Sequence, residues 1–72
     1  MSPILGDRLK ALRLERNMSH YQVSRALMLN IADIKKFESG EKIPDAYSIA
    51  EYVRYFNVSL DFVLGVSNDR NN

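Results

Sequence analysis

In the middle of this 72-residue chain, Ile31, Ala32, Lys35 and Lys36 stand at positions i, i+1, i+4 and i+5. On a helix that spacing gathers them on one side, because residues three and four apart are neighbours. Ile34 and Phe37 interleave with them and fit the opposite, buried side. Two small or apolar residues and two cations are then left outside. Such a face is poorly matched to water and well matched to a DNA groove. No comparable set points to catalysis. The chain has one histidine, His20, and no cysteine, and no base, nucleophile and orienter converge in its motifs. No catalytic residue, metal site, cofactor or small-molecule ligand is expected.

The face must be held by its neighbours, and the flanking residues read as two short helices. Ser19 with Gln22 three residues later fits a capping box, and Met18 with Val23 fits the hydrophobic staple around it. Asn30 caps the second helix in the same way. Asp33 reaches back more weakly, as a capping carboxylate, and Leu29 with Ile34 repeats the staple. Val23, Ala26 and Leu27 are expected on the buried side of the first of these helices. Met28-Leu29-Asn30 leaves a turn of about three residues, the length of a helix-turn-helix connection. Gly40 supplies a left-handed stop, and Pro44 discourages helix at Ile43.

Around this pair the pattern predicts three more helices. The first starts at Ser2-Pro3, carries the stripe Leu5, Leu9 and Leu12, and ends near Arg16-Asn17. Asp45 caps a fourth over 46–56, burying Ile49, Tyr52, Val53 and Phe56, and Asn57 ends it. Ser59 caps a fifth over 60–64, which Gly65 closes. The domain is expected over residues 1–66, with a polar, frayed tail over 67–72. The fold class is a compact all-α bundle of five helices.

Net charge is +1, but it is unevenly spread. Residues 1–44 hold eight basic and five acidic residues, and residues 45–72 hold two basic and four acidic. The basic bias falls in the half that carries the candidate groove face. No apolar run reaches the length of a membrane span and the N-terminus lacks a signal-peptide core, so a cytoplasmic protein is expected.

The ordered set Ser19, Glu38-x-Gly40 and Val58-Ser59-x-Asp61 resembles the Cro/CI-type helix-turn-helix family, the lambda-repressor-like DNA-binding domains. Arg8-Leu9-Lys10, Leu12-Arg13, Phe37 and Phe62-Val63-Leu64-Gly65 extend the likeness over about residues 5–65. The resemblance implies a dimer that binds operator DNA with its third helix in the major groove. It implies base-edge contacts from Ile31, Ala32 and Lys36, with Lys35 close by. It implies phosphate contacts from Ser19, His20 and Ser39, and Lys42 is grouped with them. It also implies a partly buried ion pair between Arg13 and Glu38, and a carboxylate at a helix C-terminus does need a cation.

Three positions depart from the family pattern. His20 stands where Gln is usual, and imidazole adds a charge only when protonated. Met28 stands where Gly is common, so either the turn differs or Met adopts a left-handed conformation. Ser24 stands where Ala is common, and its hydroxyl is expected to bond a carbonyl one turn back. Tyr47, Tyr55 and Phe62, with Val66 at the edge, are hard to bury in one small domain and are expected to form a two-fold interface. The leading expectation is a homodimeric DNA-binding transcriptional regulator, repressor or Cro-like. The alternative is a protein-interaction module or antitoxin-like adaptor on the same fold.

Overall fold

Among the described residues, four helices begin at a side-chain cap. The computed structural model describes residues 4–71, in which α1 spans Ile4–Glu15, α2 His20–Leu27, α3 Ile31–Ser39, α4 Ala46–Phe56 and α5 Leu60–Leu64. The expected start at Ser2-Pro3 lies outside the described residues. Ser19 and Gln22 form the full capping box of α2. Asn30 Oδ1 accepts from the Ala32 and Asp33 amides at the start of α3. Asp45 and Ser59 cap α4 and α5 by accepting from the Ser48 and Phe62 amides. The Ser48 bonds hold the Asp45 carboxyl below its ordinary range. Each such cap is worth about 1 kcal/mol.

The stops are equally local. Asn17, Met28 and Asn57 have φ of 55°, 57° and 56°, and Gly40 and Gly65 have φ of 85° and 81°. Asparagine tolerates that region. Methionine does not, and Met28 carries strain of about 1–2 kcal/mol. Ser24 holds the turn closed from both sides. Its carbonyl accepts from the amides of Met28 and Leu29, and its hydroxyl donates to the Leu29 carbonyl at 2.5 Å. The hydroxyl therefore reaches forward across the turn, not back along the helix as expected.

Leu9 and Leu12 of α1, Val23 and Leu27 of α2, Ile34 and Phe37 of α3, Tyr52 and Phe56 of α4, and Phe62 and Val63 of α5 fill the core. Burying a side chain of this size contributes roughly 1.5–3 kcal/mol, so the core easily outweighs the strain at Met28. α1 packs on α3 and α5, and α2 on α3 and α4. Gly6, inside α1, lies tight against the end of α3: a Cβ there would lie 2.6 Å from the Phe37 carbonyl oxygen and 2.8 Å from that of Glu38. Ala26 is exposed, contrary to expectation, because α2 needs only Val23 and Leu27 to cover its narrow contact with α3 and α4.

Residues 67–71, expected to fray, lie back against α1 and α5. The Ser59 amide donates to the Arg70 carbonyl at 2.6 Å. Arg8 donates to the carbonyls of Phe62 and Ser67 and to Asn68 Oδ1 at 2.8–3.1 Å, and Arg70 makes a two-pronged pair with Glu15. The guanidinium carbons of Arg8 and Arg70 lie 4.1 and 5.0 Å from the Phe62 ring centroid. Phe62 is consequently buried, which corrects the expectation that it lies in an exposed interface.

Candidate nucleic-acid interface

α3 is anchored from one side only. Ile34 and Phe37 face the core, and Ile31, Ala32, Lys35 and Lys36 are all exposed. The ammonium groups of Lys35 and Lys36 have no ion-pair or hydrogen-bond partner among the described residues. Two unpaired ammonium groups thus sit beside an apolar edge on a fixed helix.

The surroundings of this face differ in detail from the sequence reading. Asp33 is not the cap, a role that Asn30 fills alone; its carboxylate accepts from Lys42 Nζ at 2.9 Å. Lys42 is therefore paired, although the bond is exposed and a stronger anion can compete for it. The Ser39 hydroxyl donates to the Lys36 carbonyl at 3.1 Å and accepts from the Glu41 amide at 3.3 Å, so it helps to end α3. Ser19 is exposed at the start of α2, with its hydroxyl engaged in the capping box.

The C-terminal end of α3 is held to α1 by a two-pronged ion pair. Arg13 Nε and Nη2 donate to Glu38 Oε2 and Oε1 at 2.8 and 2.9 Å, and Nη1 donates to the Met18 carbonyl at 2.9 Å. The hydrogen bonds that Arg13 donates to Glu38 raise its pKa against the opposing cost of burial. His20 Nε2 lies 3.1 Å from Glu38 Oε1, so His20 is turned toward the pair and remains about one-third exposed, at 33% of its side chain. Beneath them, the Tyr52 hydroxyl is buried without a hydrogen-bond partner among the described residues. Burial pushes its pKa well up, the Glu38 charge adds to the rise and Arg13 opposes it, so the phenol stays neutral.

A second surface lies between α4 and α5. Ala46, Ile49, Ala50, Val53, Leu60 and Leu64 line an apolar groove of about 430 Å³. Tyr47, Tyr55 and Val66 are exposed, and Tyr55 packs edge-on against Phe56 at 5.1 Å. Of the four residues expected at an interface, Phe62 is inside and the other three are outside, but none of the four lines the groove. The signal that could have found it was present: Ala46, Ile49, Ala50 and Val53 follow i, i+3, i+4, i+7, one apolar stripe of a helix.

A short helix capped and packed at its ends, joined by a three-residue turn to a second helix with a cationic outer face, defines a helix-turn-helix domain of DNA-binding regulators. The family model described as "Helix-turn-helix" matches residues 9–63. The chain belongs to the Cro/CI-type helix-turn-helix family, and its five helices form the lambda-repressor-like bundle. A comparison with curated proteins finds no match. No helix among the described residues is long and apolar enough to cross a membrane.

Proposed function

We propose that this protein is a repressor or Cro-like transcriptional regulator that binds an operator as a homodimer, with α3 of each copy in successive major grooves. The observation that carries this reading is the α3 face itself, anchored by Ile34 and Phe37 and presenting two unpaired lysines beside Ile31 and Ala32. Lys36 donates to guanine O6 and N7, Lys35 serves the groove wall, and Ile31 and Ala32 meet thymine methyls. Ser19, Ser39 and Lys42 flank the phosphates, with Lys42 exchanging Asp33 for the backbone. The two-fold axis passes over the α4–α5 groove, where Leu60 and Leu64 of one copy can enter the apolar stripe of the other, with Tyr47, Tyr55 and Val66 at the rim.

Selection of bound duplexes from a random pool tests the reading. It should return two similar half-sites about one helical turn apart. In the Lys36→Ala variant the preference at one position of each half-site should relax, at a cost of about 1–3 kcal/mol. Unchanged preference removes Lys36 from base reading. Asp33, an acidic group beside the α3 face, favours a second reading, an interaction module that does not use DNA. Absence of binding to any duplex in low-salt buffer would establish it over the first.

A further inference from the structure

Three helices meet at one cleft. Lys10 and Arg13 come from α1, His20 from the first position of α2, and Lys35, Glu38 and Ser39 from α3. The cleft measures about 300 Å³ and shares Lys35 with the exposed α3 face. One carboxylate, Glu38, therefore stands among three cations, Lys10, Arg13 and Lys35. α2 adds no acidic residue in its first turn, and the titratable group that α4 brings close is the neutral Tyr52. Lys10 has no partner among the described residues.

The His20–Glu38 contact restricts what the ring can offer. An ionised carboxylate only accepts, so a neutral imidazole that bonds it must carry its proton on Nε2. Nδ1 is then a lone pair. Phosphate oxygens also only accept, so a neutral His20 seated on Glu38 has no hydrogen bond left to give one. A protonated ring keeps the Glu38 bond and gains a second donor and a charge.

We propose that this cleft seats one backbone phosphate of bound duplex DNA and that His20 takes up a proton as it does so, so that binding tightens as pH falls. The inference rests on the DNA-binding reading above and deepens it, because it adds Lys10 of α1 to the contact and links the contact to a proton. When the second helix of such a motif enters the groove, the first crosses the backbone, which brings the start of α2 and the adjoining cleft to the phosphates. The bound state then holds more protons than the free state. Affinity rises as pH falls through the range in which histidines change charge, about pH 5 to 8. His20 is the sole histidine of the chain, so no other imidazole contributes.

The test measures Kd for a labelled mixed-sequence duplex by fluorescence anisotropy, at fixed low ionic strength, between about pH 5.5 and 8. Wild type, His20→Gln and Lys10→Ala are compared after thermal melts show all three folded. Gln keeps an amide donor for Glu38 but cannot take a proton. The wild type should tighten about three- to tenfold from the top to the bottom of that window, and His20→Gln should stay flat. Lys10→Ala should bind more weakly at every pH, with a salt slope lower by about 1. A full pH response in His20→Gln, or none in the wild type, overturns the proton link. Wild-type affinity in Lys10→Ala overturns the phosphate seat. Binding that is present but flat with pH sinks this inference alone, whereas no binding by any of the three at any pH sinks the DNA-binding reading and this one with it.

Discussion

The molecule uses the same fastening twice, in two settings. At one edge Arg13 grips Glu38 with two hydrogen bonds, and at another Arg70 grips Glu15 with two. The first pair is buried, with side chains 9% and 5% exposed; the second is open, at 44% and 46%. Chemistry and geometry are nearly equal, so the environment decides what each is worth. A half-exposed pair exchanges water for a partner with little net gain, about 0–1 kcal/mol. A buried pair gains little over apolar packing, but losing one member leaves the other charged and dry. The inner pair is therefore a point where the α1–α3 contact fails, and the outer pair is a loose clasp on the tail.

Substitutions can break this contrast, beginning with the largest effect. Glu38→Ala should cost about 3–5 kcal/mol, because it strands the Arg13 guanidinium in the interior. A urea midpoint unchanged from wild type would show that the inner pair is no stronger than the outer one. Gly6→Ala probes the same contact without touching charge. The added methyl meets the Phe37 and Glu38 carbonyls at 2.6 and 2.8 Å, and overpacking of that kind costs roughly 1–3 kcal/mol, more than the gain in helix propensity returns. A rise in the melting temperature would mean that α3 yields freely and that its seat on α1 is soft.

At the outer pair, Glu15→Ala should cost less than about 1 kcal/mol, and less still at high salt. Its pH dependence has a definite sign. The Arg70 hydrogen bond holds the Glu15 carboxyl below its usual range, against a small cost of burial. A carboxyl whose folded value is depressed contributes stability above the ordinary glutamate range, near about pH 4, and loses it as pH falls through the folded value. Wild type and Glu15→Ala should therefore differ slightly at neutral pH and converge in acid. A gap that persists in acid would mean that packing, not charge, carries the contribution of Glu15.

How much of this was legible beforehand depended on distance along the chain. The caps at Ser19, Asn30, Asp45 and Ser59 each bond amides two or three residues away, so residue type and spacing suffice to read them. The anchoring of α3 by Ile34 and Phe37, and the exposure of the residues between them, follow from helical period in the same way. Asn30 and Asp33 compete for one local role at the start of α3, and only the fold of the following loop brings Lys42 to Asp33. The stripe of Ala46, Ile49, Ala50 and Val53 is legible in the helical period, but the groove needs α5 to set Leu60 and Leu64 opposite it.

By itself, then, the amino-acid order determined where each helix starts and stops and which of its sides turns inward, since those interactions close within one turn. Tertiary structure alone decided that Phe62 is roofed by Arg8 and Arg70, that Gly6 admits no side chain, and that His20 faces Glu38. Apart from Arg70 and Phe62, eight residues from one another, these contacts join positions 18 to 54 residues apart. No local preference selects among so many candidate partners; they meet because packing the core leaves each helix a single place to lie.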